Sequence, residues 1–195
     1  YELNERIKFM LPPGFVFSRD KSDDGVEVIS ILADEYNDDD GETCYKFNCR
    51  IIYIMYNPQD PDKAVKSENL LDFLAESMDA HRQMKLPGMP RAVLLSMAMP
   101  LSILGCIIKT YATIGIIQVS DRDFIQLIVT GEFNDDDPSE NTKRYENLLE
   151  VLKATRIDGN ALQLGGLSAS EVEDALQLEF DENCEVTDIS PKIHF

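Results

Sequence analysis

Tryptophan is absent from this 195-residue chain, and histidine and cysteine are scarce, at two and four residues. Each shortage removes a class of chemistry. Cys44, Cys49, Cys106 and Cys184 form no CxxC pair and no Cys/His cluster, so the usual ligand sets for zinc are missing. Cys44 and Cys49 stand five apart in a stretch that reads as strand, an odd separation that sends them to opposite faces. Neither local chelation nor a local disulfide is expected; buried free thiols in a reducing compartment are, with a cross-sheet disulfide as the alternative. His81 falls at helical spacing among apolar residues and His194 lies next to the C-terminus, so neither sits in a catalytic pattern. No G-x-S-x-G, P-loop or G-x-G-x-x-G motif occurs. Long apolar runs are missing as well, and without one of about 18 residues no membrane span is expected. Basic clusters are missing too: 18 Lys and Arg against 36 Asp and Glu give a net charge of −18, which excludes general affinity for nucleic-acid backbones.

The remaining composition, 44% apolar, suits one domain with a full hydrophobic core. Charge is unevenly distributed. Between Asp79 and Asp121 there is no acidic residue, whereas Arg82, Lys85, Arg91 and Lys109 all fall in that gap. After Ile157 the balance reverses, with nine acids against Lys192, and residues 158–195 read as an acidic extension of a domain spanning 1–157.

Hydrophobic periodicity outlines an α+β chain. "IKFMLPPGFVF" predicts a strand broken by a Pro-Pro-Gly turn. "GVEVISILA" places Ile29, Ile31 and Ala33 on one face and Val26, Val28 and Leu32 on the other, too apolar for an exposed edge. "TCYKFNCRIIYIMY" follows as its expected antiparallel neighbour. A helix is expected over residues 67–84, with Ser67 as N-cap and Leu71, Leu74, Met78 and His81 at helical spacing. Residues 92–131 read as three or four strands with "SDRD" as a turn, although "PLSILGCIIKTYA" also admits a helix. Tyr145, Leu148, Leu149 and Leu152 predict a second helix lying on the sheet. "GNALQLGG" reads as a linker, and 170–176 as a short helix.

Two acidic runs, "EYNDDDGET" and "EFNDDDPSE", raise the question of calcium. With Gly41 at position six of a helix-flanked calcium loop, Tyr36 and Phe47 fall where position one and position twelve need acids. The first run is therefore expected to be a hairpin tip binding calcium weakly at best. The second is expected to start a helix, with Asp137 as N-cap, Pro138 at the first helical position and Glu140 completing a capping box.

The opening "FMLPPGF", a hairpin over 26–56, a helix, the strands of 92–131 and a closing helix over 138–155 together resemble the PsbP-like fold family. The resemblance covers about residues 6–157 and implies an antiparallel sheet packed by two helices, in a family of binding and adaptor proteins with no shared catalytic centre. The function expected is a noncatalytic protein-interaction or adaptor domain, with no cofactor and an unidentified protein partner. An acid or metal-assisted hydrolase, or a weak calcium-binding protein, is the alternative. Five of the seven methionines fall in 78–99, the acid-free region, and "QMKLPGMPR" contains a Pro-Gly loop that should reach the surface. Met84, Leu86, Met89 and Arg91 are the expected partner-binding residues. A cytoplasmic location is slightly favoured, with a secreted or envelope form left open because the chain opens on Tyr1 and not Met.

Overall fold

Alternation of buried and more exposed residues in 27–33 and 47–51 marks the central hairpin, β3 (Glu27–Asn37) and β4 (Thr43–Met55). Ile29, Ile31 and Ala33 pair in register with Ile51, Cys49 and Phe47, and all six are buried on one face, as the period of two requires. The hairpin tip forms as the sequence predicts. The Asp38 carboxylate accepts the backbone N–H groups of Asp40 and Glu42, and Gly41, at φ +81°, makes the turn that an L side chain resists.

The structure is a computed structural model that describes residues 1–21, 27–57, 65–99, 101–103, 106–108, 110–132, 138–179 and 193–194. Around the hairpin stand β2 (Val16–Lys21), β5 (Arg82–Leu86), β6 (Ala92–Ala98), β9 (Thr110–Gln118), β10 (Asp123–Glu132) and β13 (Ile193–His194). They form an eight-stranded sheet in the order β13-β5-β6-β9-β10-β4-β3-β2, antiparallel throughout except where β13 runs parallel to β5. A short ladder, β7 (Leu101–Ile103) with β8 (Cys106–Ile108), lies between β6 and β9 in the chain, so the described residues of 92–131 form five strands, and those of 100–112 are strand where the sequence also admits a helix. The Pro-Pro-Gly turn moves the chain between sheets: β1 (Ile7–Phe9) pairs with β11 (Thr155–Ile157), which pairs with β12 (Asn160–Ala161), whereas β2 joins the main sheet.

Three helices cover the sheet: α1 (Ser67–Glu76), α2 (Pro138–Ala154) and α3 (Ala169–Leu176). Helix α2 buries Tyr145, Leu148, Leu149 and Leu152, the stripe its spacing predicts. Helices α2 and α3 share one face with Ile29, Ile51, Leu94 and Leu127, while α1 buries Leu70, Leu71 and Ala75 against Val93, Leu95, Ile116 and Phe124 on the opposite face. Glu140 stands in the first turn of α2; Asp137, its expected N-cap, lies outside the described residues.

Three expectations need correction. The helix from Ser67 stops at Glu76, its N-cap is Lys66 with no side-chain cap bond, and Asp79 turns left-handed at φ 49°. Residues 82–86 form a strand because Arg82, Met84 and Leu86 also recur at a period of two, and pairing with β6 satisfies their backbone groups. His81 is therefore a turn residue, its Nδ1 accepting the Ala98 N–H at 3.4 Å. The packing involves three helices, not two. The boundary at 157 does not divide the core either: Leu162, Leu164, Val172, Ala175 and Leu176 belong to the same buried cluster as Met84 and Leu86. Helix α3 is started by a full capping box, Ser168 with Glu171. Residues 180–192 of the expected acidic extension lie outside the described residues. No helix among the described residues is long and apolar enough to cross a membrane.

Candidate functional site

The four residues expected to meet a partner are split by the fold. Met84 and Leu86 point from β5 into the core, 8% and 7% exposed, because α3 packs on that strand. They are withdrawn from any surface site. The loop that follows does reach solvent, and Met89 is 67% exposed. Arg91 stays partly exposed, with its charge answered: Nη2 lies 3.1 Å from the Asp72 carboxylate of α1, and Nη1 donates to the Glu68 carbonyl. Lys85 meets the other oxygen of Asp72 at 3.2 Å, so one carboxylate ties both ends of the loop to α1.

Residues 87–91 are held on their other side as well. Gly88 adopts φ +88°, and a Cβ built there would come within 2.5 Å of the Gln163 carbonyl oxygen. The Arg91 carbonyl accepts the Gln118 N–H at 2.9 Å. Beneath Met89 and Pro90 opens a groove of about 670 Å³, floored by the start of α1 (Lys66, Ser67, Glu68) and the β9–β10 turn (Gln118 to Asp121). Its walls are braced by hydrogen bonds from Ser67 Oγ to Asp121 and from Gln118 Nε2 to the Ser67 carbonyl. Met78 and Met97 pack against the core cluster under α1, as their places in periodic elements suggest.

A larger cleft of about 1230 Å³ opens between the outer arms of β3 and β4 and the first turns of α2. The sequence offered no signal for it. Its charged groups answer one another. Lys46 pairs with Glu140, Lys143 lies 3.4 Å from Glu146, and Asp34, at φ 58° within β3, accepts a hydrogen bond from Asn147. Arg144 turns inward, bonded to the Tyr111 hydroxyl with its guanidinium 5.2 Å from the ring centre. Burial pushes the Tyr111 phenol up, and Arg144 beside it pulls the other way.

No family model matches the chain, and no curated protein matches it in sequence. Among solved structures it is similar to the Saccharomyces cerevisiae Ran-binding protein Mog1p, at 13% identity and a TM-score of 0.43, over 81% of this chain and 94% of that one.

Among the described residues no group of three or more His, Cys, Asp or Glu is placed to hold a metal ion. Three carboxyls among the described residues are displaced downward. Lys8 holds Glu2 below its usual value, Arg6 holds Asp158 there, and hydrogen bonds from Ser168 hold Glu171. A general acid working at neutral pH needs the reverse displacement. Of the two free cysteines described, Cys44 is half-buried and Cys49 is fully buried, its thiol pushed up to about 12 by burial, which leaves it inert as a nucleophile.

Proposed function

We propose that the chain is a PsbP-like, noncatalytic protein-interaction domain whose contact surface is the β5–β6 loop and the groove beneath it. The observation that carries this reading is Met89, exposed at the tip of a loop that is itself clamped. A backbone tied to Asp72 through Lys85 and Arg91, and to β9 through the Gln118–Arg91 hydrogen bond, has little conformational freedom left to lose on binding. The thioether at its tip remains flexible and adapts to an apolar partner. Residues 80–120 supply no acidic group, and the acids that border the loop and groove, Glu68, Asp72 and Asp121, stand beside Lys66, Lys85 and Arg91, so the local charge is balanced on an otherwise acidic chain. A hydrolase reading draws no support from the displaced carboxyls described, which are held ionised.

Met89→Glu tests the reading. Because the side chain lies in solvent, the charge should change stability by no more than about 0.5 kcal/mol. Affinity capture with wild type and variant, read by mass spectrometry, should recover a partner with the first and lose it with the second. Recovery of the same partner by both, or a melting temperature several degrees lower, would take the loop out of the interface.

A further inference from the structure

The sheet has a second uncovered surface, on the face that carries α1. That helix packs on β6 and β9 and leaves the other half, β10-β4-β3-β2, without a helix among the described residues. Cross-strand register assigns the side chains of this half-face: Ser18 pairs with Ser30, Ser30 with Arg50 and Arg50 with Ile128. Alternation then places Val16, Val28, Leu32 and Ile52 on the same side, opposite in sense to the buried Ile29, Ile31 and Ile51. Val16 is 39% exposed, and Val28, Leu32, Ile52 and Ile128 are half-buried, so a band of branched apolar side chains faces water.

The charge on this half-face is unlike that of the rest of the chain. Across 16–20, 28–32, 48–52 and 126–130 it presents two charged side chains, Asp20 on β2 and Arg50 on β4, both exposed. On a protein with 36 acidic residues, a stretch of sheet carrying one acid and one base limits the repulsion between two approaching copies. The two charges are of opposite sign and lie on either side of β3. A two-fold axis running along β3 sets β4 of one copy over β2 of the other, bringing each Arg50 toward the Asp20 of its mate. The residual offset is two residues along the strand, about 7 Å, within reach of an arginine side chain. An isologous interface requires this self-complementarity, in which each partner supplies both halves of the pair.

We infer that the β10-β4-β3-β2 half-face is a homodimer interface, with the apolar band packed sheet on sheet and closed by two symmetric Arg50–Asp20 ion pairs. The test is sedimentation of the full chain at rising concentration, comparing wild type with Arg50→Glu, Asp20→Arg and the double exchange. Wild type should dimerise, each single reversal should weaken the dimer by about tenfold or more, and the double exchange should restore it. Both positions are exposed, so circular dichroism should show all four proteins folded. A wild type that stays monomeric at every concentration overturns the proposal, including the case in which a different protein occupies the face. So does a dimer indifferent to both reversals, or a double exchange that fails to restore it. Met89→Glu should leave the dimer intact, which separates this surface from the β5–β6 loop.

Discussion

A methyl group at position 88 has nowhere to go. Its backbone sits at φ +88°, where an L residue costs about 1–2 kcal/mol, and the space a Cβ would take is held by Gln163. Gly41, at φ +81° with nothing within 4 Å, carries the first cost without the second. Gly88→Ala should therefore lower the urea midpoint clearly more than Gly41→Ala, and the difference reports the contact with Gln163. Equal losses would mean that the loop yields freely. Glu171 offers a residue-scale test of a different kind. Its carboxyl accepts from Ser168 Oγ at 2.6 Å and Ser168 N at 2.9 Å, which lowers it from its usual 4.5 in the folded chain. Unfolding returns it to that value, so the stabilisation is complete above pH 4.5 and is lost as pH falls through the folded value. Glu171→Gln should thus reduce stability near neutral pH, and the gap to wild type should close in acid as pH falls through the lowered folded value. A gap that persists in acid would show that the amide fails for steric reasons and not through charge.

Helix α3 decides how the neighbouring strand is used. Its Val172, Ala175 and Leu176 are buried, and the strand they cover is the one whose Met84 and Leu86 look accessible in the sequence. The composition of residues 158–195 conceals this: acids dominate, yet Leu162, Leu164, Val172 and Leu176 are spaced among them and reach the core. If the helix is integral to the domain, Leu176→Ala should destabilise by about 2–5 kcal/mol, comparable to Leu148→Ala on α2. Denaturant unfolding would show a single transition shifted in both. A near-neutral Leu176→Ala beside a costly Leu148→Ala would restore the extension to independence. At the same scale, the stop at Glu76 shows why helix ends read poorly: Leu71, Leu74, Met78 and His81 keep a helical period past the point where the helix has ended. Buried positions at 82, 84 and 86 fit a period of two equally well, and antiparallel pairing with β6 breaks the tie.

Across the whole molecule, one eight-stranded sheet is covered by α2 and α3 on one face and by α1 on half of the other. Net charge of −18 bears on the partners such a body tolerates, and the two surfaces proposed for contact, the loop at Met89 and the half-face at Arg50, each carry balanced charge. The sequence by itself determined what depends on neighbours along the chain. That includes the β3–β4 hairpin and its Asp38 tip, the apolar stripe of α2, and the exposure of Met89 beside Pro90. Each of these follows from a period of two or 3.6, or from turn chemistry within a few residues. The tertiary structure alone decided that Met84 and Leu86 are buried, that Arg91 is neutralised by Asp72 and that residues 162–176 complete the core. It also decided that half of one sheet face carries no helix among the described residues. Those outcomes turn on which distant segments pack together, and periodicity along a chain reports which face is apolar without reporting what covers it.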